Sequence, residues 1–280
     1  MKKFLYTILI ILLLILITLI YSRFIGTNGL KTNEIALKTN IEESYNGLKI
    51  IHFSDLHYKK VITEKRVINL IKEINKTKPD LVVFTGDLLD KEYNLTNDDI
   101  NFLINQLSKI ETKYGKFTIL GDHDLDMEEQ INNIYIQSNF TILKNSYTII
   151  QNEHNDKIFI GGLNSYTKNL ADIDKTFAYF EKNDNIPYKI ILTHEPDVTS
   201  ELLTKHPDIS LLLSSHSING SINLPLIKKL LLPEGAKKYY KPYYKINNTD
   251  LYISNGIGVN KFNFRLFNTP SINFYRIYKD

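Results

Sequence analysis

Lys49-Ile50-Ile51-His52-Phe53-Ser54-Asp55-Leu56-His57 opens on an apolar run and closes on two groups that can bind a cation. The run reads as a buried strand. Val67, Leu70, Ile71 and Ile74 then recur at helical spacing. The chain repeats this pattern twice. Asp80-Leu81-Val82-Val83-Phe84 is a second strand, ending at Thr85-Gly86-Asp87 with Asp90 just beyond, and Ile100, Leu103, Ile104 and Leu107 mark a second helix. Phe117-Thr118-Ile119-Leu120 is a third strand, ending at Gly121-Asp122-His123-Asp124. Strand–helix alternation of this kind predicts parallel strands joined by crossovers.

Shorter apolar runs follow at 147–150, 158–161, 189–192, 209–213, 251–254 and 272–275. Two of them also end in imidazoles: Ile190-Ile191-Leu192 leads to Thr193-His194, and Leu211-Leu212-Leu213 leads to His216. Ligands of open α/β sheets bind outside the carboxyl ends of the strands, so five strands deliver oxygen and imidazole donors to one rim. An Asp or His after one strand is usually a cap or a turn. Five together are not easily explained that way. Carboxylate and imidazole donors without thiolates suit Mn²⁺, Fe, Zn²⁺ or Mg²⁺. His52 sits three residues before Asp55 and points to the other face of its strand. His154 and His206 lie in polar stretches and read as solvated.

The wider composition agrees. The 280 residues are enough to bury a substantial core. Lys plus Arg (34) barely exceeds Asp plus Glu (31), and a net +3 disfavours a polycationic nucleic-acid binder, so no nucleic-acid partner is expected. With no Cys there is no disulfide framework, cysteine nucleophile or zinc–thiolate site. Residues 4–21 are apolar except for Tyr6, Thr7 and Thr18, and as a helix they span roughly 27 Å, enough for a bilayer core. Ser22-Arg23-Phe24-Ile25 is a poor cleavage site, which argues for an anchor over a removed signal peptide. Lys2 and Lys3 favour a cytoplasmic amino terminus, although Arg23 and Lys31 oppose them. The expected layout is a cytoplasmic start at 1–3, a transmembrane signal anchor at 4–21, a linker at 22–32 with the flexible spacer Gly26-Thr27-Asn28-Gly29, and one domain at 33–280. The expected protein is single-pass in the cell membrane, with the 33–280 domain on the extracytoplasmic side.

The ordered motifs Asp55-x-His57, Gly86-Asp87-x-x-Asp90, Gly121-Asp122-His123-Asp124, a lone His194, and Ser215-His216-Ser217-Ile218 resemble those of the calcineurin-like metallophosphoesterases. The resemblance is to their membrane-anchored bacterial, phosphodiesterase-like branch. It runs from about Ile35 to the end, including Asn255-Gly256-Ile257-Gly258 and Arg265. It implies an α/β two-sheet sandwich flanked by helices, behind the transmembrane helix. It also implies one or two divalent metal ions. One would be held by Asp55, His57 and a bridging Asp87, the other by Asp87, Asp122, His194 and His216. His123 would stand near the departing oxygen, with Asp124 orienting its ring, and Asp90 would support the turn. The implied reaction is hydrolysis of a phosphate ester by a metal-bound hydroxide. The substrate is a separate inference from the anchor: tethered beyond the membrane, the rim would reach phosphate esters of lipid or envelope-polymer origin.

Two departures from the family pattern fall on metal-ligand positions. Ile218 stands where the second His of the last motif belongs, and Asp122 where the family has Asn. Ser215, Asn219 and Ser221 also replace two glycines and a glutamine, while Gly220 remains. One full and one weakened cation site are therefore expected. The alternative is a catalytically weak or inactive binding protein at the membrane. Past this loop, residues 224–227 and 230–233 read as a buried helix in preference to a lipid-facing lip. Lys237-Lys238 and the tyrosines at 239–244 fit either a phosphate or sugar contact or an ordinary turn and strand.

Overall fold

The computed structural model describes residues 1–90, 93, 95–183, 185–218, 221–259 and 263–280, leaving aside the side chains of 225–227. Among the described residues, twelve strands form two six-stranded sheets. They are β1 (Lys31–Thr39), β2 (Leu48–Phe53), β3 (Leu81–Phe84), β4 (Lys116–Thr118), β5 (Phe140–Ile142), β6 (Ser146–Gln151), β7 (Lys157–Gly162), β8 (Tyr188–Leu192), β9 (Leu211–Ser214), β10 (Tyr243–Ile246), β11 (Thr249–Ile253) and β12 (Ser271–Lys279). The first sheet runs β1-β12-β2-β3-β4-β5 and the second β10-β11-β9-β8-β7-β6. Strands β2 to β5 are parallel to one another, as are β7, β8, β9 and β11. All five donor-bearing strands, β2, β3, β4, β8 and β9, therefore end on the same side of their sheets.

Period-two alternation explains the sandwich. Ile50, Leu81, Val83, Ile190, Leu192, Leu211 and Leu213 pack between the sheets. Their neighbours Ile51, Val82 and Phe84 face outward, against α1 (Glu64–Lys76), α2 (Asn97–Ser108) and α3 (Glu128–Gln137). Val67, Leu70, Ile71 and Ile74 are all buried, as their spacing predicts. Thr96 caps the next helix, and its hydroxyl and the Asp99 carboxylate satisfy each other's backbone N–H groups. On the far face, Phe159, Ile191, Leu212 and Leu251 pack with Phe177, Val198 and Leu202.

The amino-terminal helix, Lys2–Ile20, continues through Tyr21–Ile25 and is long and apolar enough to cross a membrane. The spacer expected after it is a packed joint. Ser22 and Thr27 are buried, the Arg265 amide donates to the Ser22 carbonyl at 2.9 Å, and Arg66 donates to the Thr27 carbonyl. A Cβ on Gly26 would lie 1.9 Å from the Arg265 carbonyl oxygen, so only glycine permits this approach. Strand β1 begins at Lys31, whose partner in β12 is Ser271.

Two further expectations change, and a reading left open at 237–244 gains a structural setting. Residues 225–231 are helical, but Leu230 and Leu231 are exposed (83% and 43%). His206 is half-buried and stacks on Phe177 with ring centroids 3.6 Å apart. Lys237-Lys238 belongs to a turn whose amides, with that of Tyr239, donate to the Asp197 carboxylate, while the Tyr244 hydroxyl accepts from the amides of Tyr240 and Lys241. The ammonium groups of Lys237 and Lys238 are taken up by the Leu232 carbonyl and the Ser200 hydroxyl.

Candidate metal centre

At the carboxyl ends of the strands the chain doubles back sharply. Asp55, His57, Asp87, His216 and Ile218 all have positive φ, between 42° and 62°. Side chains other than glycine hold that conformation at a cost of order 1–3 kcal/mol each, a pattern found where geometry serves a site. The turns bring donors from both sheets together. Asp87, Asp122, His194 and His216 form one group whose ligand atoms lie within 4.8 Å of one another, and His57, Asp87 and His123 form a second, sharing Asp87.

The hydrogen-bond pattern fixes what the first group can do. His194 Nδ1 lies 2.7 Å from the Thr85 carbonyl oxygen, and His216 Nε2 lies 2.8 Å from that of Glu234. A carbonyl only accepts, so each of these nitrogens carries the hydrogen and the other nitrogen of each neutral ring turns a lone pair inward. Those two inward nitrogens are 3.2 Å apart. Around them stand Asp122 Oδ1, at 3.1 Å from His216 Nδ1 and 3.4 Å from His194 Nε2, and Asp87 Oδ2, at 3.3 Å from His194 Nε2. Four lone-pair donors face one point with no donor hydrogen between them. This is stable only if something positive sits there: extra protons or a metal ion. Burial works to lower the His194 pKa, yet Asp87 and then Asp122 hold it well above its ordinary value. The residues fit a divalent cation bound by two carboxylates and two imidazoles.

The second group is thinner. His57 Nε2 is 3.6 Å from Asp87 Oδ2, and both ring nitrogens of His57 are buried without a hydrogen-bond partner among the described residues. Burial lowers the pKa of His57 to about 4, so the ring stays neutral and able to ligate. Asp55 is fully buried. One of its oxygens accepts from the Ser54 hydroxyl, and the other has no partner among the described residues. Burial pushes the Asp55 pKa up to about 6. Orphaned buried acceptors of this kind are what a missing cation would satisfy.

Ile218 packs beside this half of the centre. Its side chain is 2% exposed, and its Cγ2 would be 2.2 Å from a Cβ built on Gly256, a position itself 3.0 Å from the Asp55 Cβ. A hydrocarbon wall therefore stands at Gly256, on the Asp55 side of the centre. Asn268 holds the Ile218 carbonyl at 2.6 Å. Asn219 and Gly220 lie outside the described residues.

The acid residues near His123 exchange the parts expected of them. Asp124 does not touch the His123 ring. Its carboxylate accepts from the amides of Asp87 (2.8 Å), Leu88 (2.9 Å) and Gly121 (3.0 Å), tying the second and third motif loops together. Asp90 faces the ring instead, with Oδ1 3.6 Å from His123 Nδ1, while its other oxygen is 2.5 Å from Lys60 Nζ and 3.7 Å from His57 Nδ1. Burial opposes protonation of His123, but Asp90, Asp87 and Asp122 outweigh it and raise the pKa to about 9. Sequence reasoning missed Lys60, Thr85 and Glu234. The last two act through backbone carbonyls, which no residue type announces.

His52 stays outside the centre, between the sheets, with Nε2 2.8 Å from the Thr85 hydroxyl. Burial lowers its pKa to about 3. His154 is exposed, as its polar setting predicts.

Comparison with known proteins agrees with the motifs. Residues 48–220 match the family model described as calcineurin-like phosphoesterase. The Bacillus subtilis metallophosphoesterase YkuE is 28% identical over 260 residues, 92% of this chain and 88% of that one. The Campylobacter jejuni metallophosphoesterase Cj0846 is 31% identical over 258 residues, 88% of this chain and 63% of that one. A transmembrane protein with metallophosphoesterase domain from Danio rerio is 25% identical over 235 residues, 78% of this chain and 50% of that one.

Proposed function

The chain belongs to the calcineurin-like phosphoesterase family, and on that footing we propose that it hydrolyses phosphodiesters at the membrane with one strong and one weakened cation site. The observation that carries this reading is the convergence of four lone-pair donors, Asp87, Asp122, His194 and His216, on one point. Asp55, His57 and Asp87 would hold a second ion less firmly, because Ile218 supplies no donor. Divalent cations bound there supply Lewis-acid stabilisation of phosphoryl oxygens and lower the pKa of water.

The remaining work falls to the side chains. His123, protonated at neutral pH and partly open to solvent, donates its proton to the departing oxygen. Asp90, charged through Lys60, holds that ring. Asp124 sets the spacing of the loops that carry Asp87 and Asp122. The negative charge of Asp122, in place of a neutral amide, binds a hard cation more firmly but repels an anionic ester, which points to slow turnover. On the same reading the amino-terminal helix anchors the chain in the cell membrane, with Lys2 and Lys3 inside and the body outside.

The test is hydrolysis of bis(p-nitrophenyl) phosphate by the full chain in detergent, with Mn²⁺, Mg²⁺, Zn²⁺ or Ca²⁺. Turnover that disappears in the Asp87→Ala, His123→Ala double variant is expected. No turnover above that variant with any ion overturns the reading. It would favour the second one, a cation-binding relative without catalysis, for which the wall made by Ile218 is the specific support.

A further inference from the structure

Between the amino-terminal helix and the body lies an apolar cleft of about 690 Å³. One wall is the helix itself, from Ile11 to Ser22, and the other is formed by Ile222, Leu224, Leu231, Phe264 and Leu266. The helix wall covers roughly 16 Å of axis, the half of the span nearest the body. If the helix crosses a bilayer, the cleft lies at hydrocarbon depth. Water does not fill an apolar space there, so the medium available to fill it is lipid tails. The rim agrees: Phe24, Ile25, Leu230 and Phe267 expose 60–83% of their surface around the same joint, an arrangement suited to immersion.

The second wall belongs to segments that also reach toward the metal centre. The segment after Ile218 pairs with residues 264–268 through Leu266 N to Ser221 O (2.9 Å) and Asn223 N to Leu266 O (2.9 Å). Side chains alternate across this pair. Phe264 and Leu266 face the cleft, while Arg265 between them turns inward, is fully buried and donates to the Gly258 carbonyl close behind Asp55. On the other strand Ile222 faces the cleft, four residues after Ile218 at the centre. The segments that line the hydrocarbon space therefore also carry Arg265, behind Asp55, and lead back along the chain to Ile218.

We propose that this cleft takes one hydrocarbon chain of a membrane phospholipid, and therefore that the phosphate ester presented to the centre is carried by a lipid. The first half stands on the cleft alone, and the second rests on the phosphoesterase reading above.

The experiment uses the full chain in vesicles of phosphatidylethanolamine and phosphatidylglycerol, with photoreactive benzoylphenylalanine placed at Ile222 or, as a control, at the exposed Ile136. Irradiation is followed by intact-mass analysis. The expected result is a phospholipid adduct at 222 and none at 136. Filling the cleft by Leu19→Trp, or by Leu231→Trp at a half-exposed site that folding tolerates, lowers the yield about tenfold, the discrimination an apolar pocket reaches through a methylene or two. No adduct at 222, or a crosslink there to another polypeptide, overturns the proposal. The outcomes separate the two readings: diester hydrolysis without a lipid adduct sinks the cleft, and an adduct without hydrolysis of any diester sinks the catalytic proposal alone.

Discussion

Replacing Gly256 by Ala tests where the structure puts Ile218. The glycine has φ +68°, and a Cβ there would meet Ile218 Cγ2 at 2.2 Å and the Asp55 Cβ at 3.0 Å. The left-handed backbone costs an alanine about 1–2 kcal/mol, and forcing a methyl into a filled space costs about 1–3 kcal/mol more. The total is about 2–5 kcal/mol, or a fall in Tm of about 4–20 °C for a domain of this size. Ile218→Ala alone should cost about 2–5 kcal/mol by opening a cavity. In the double variant the new methyl enters the space that the lost Cγ2 vacates. The 2.2 Å clash is therefore relieved, leaving the tighter approach to Asp55, and the two changes sum to about 1–3 kcal/mol less than their parts. Thermal unfolding of the full chain in detergent can be followed by tyrosine fluorescence, since the protein has 18 Tyr and no Trp. Effects that add to within about 0.5 kcal/mol would show that the two residues do not touch, and the account of Ile218 packed at Gly256 would fall.

Other outcomes follow from the same geometry. Burial depresses the pKa of His52 from 6.5 to about 3, so its contribution to stability is full above pH 6.5 and is lost as pH falls toward 3. His52→Gln should flatten the acid limb of a stability–pH profile by up to one proton, and an unchanged slope would contradict the neutral buried ring. Asp124→Asn loosens the two loops it ties and should weaken Mn²⁺ binding by about 10–100-fold in calorimetry; an affinity within a factor of two of the parent would refute that role. Ile218→His places a ring at φ +42°, a conformation His accepts more readily than a β-branched residue. It should raise retained metal toward two ions per chain, and unchanged stoichiometry would show that position 218 does not face the second site.

The strand ends were legible because each apolar run stops at a residue type whose chemistry is unmistakable. Asp55, Asp87, Asp122, His194 and His216 stand out against Ile, Leu and Val. Strand β1 was not legible, since Lys31–Thr39 is a largely polar edge strand whose only signature is its pairing with β12. The joint at Gly26-Thr27 reads as a spacer by composition, and its packing comes from residues remote in sequence, Arg265 against Ser22 and Gly26 and Arg66 on the Thr27 carbonyl. The exchange between Asp90 and Asp124 has the same origin. Both carboxylates follow a motif, and the loop backbone decides which meets a ring and which meets amides. His206 was misread because its partner, Phe177, is remote in sequence and the local stretch is polar.

Anomalous diffraction from crystals soaked in Mn²⁺ or Zn²⁺ locates the ion without reference to activity. The account predicts a peak about 2.0–2.3 Å from Asp87 Oδ2, Asp122 Oδ1, His194 Nε2 and His216 Nδ1 together. Density absent from that point at saturating metal, or an ion bound elsewhere while those four side chains stay apart, would contradict it.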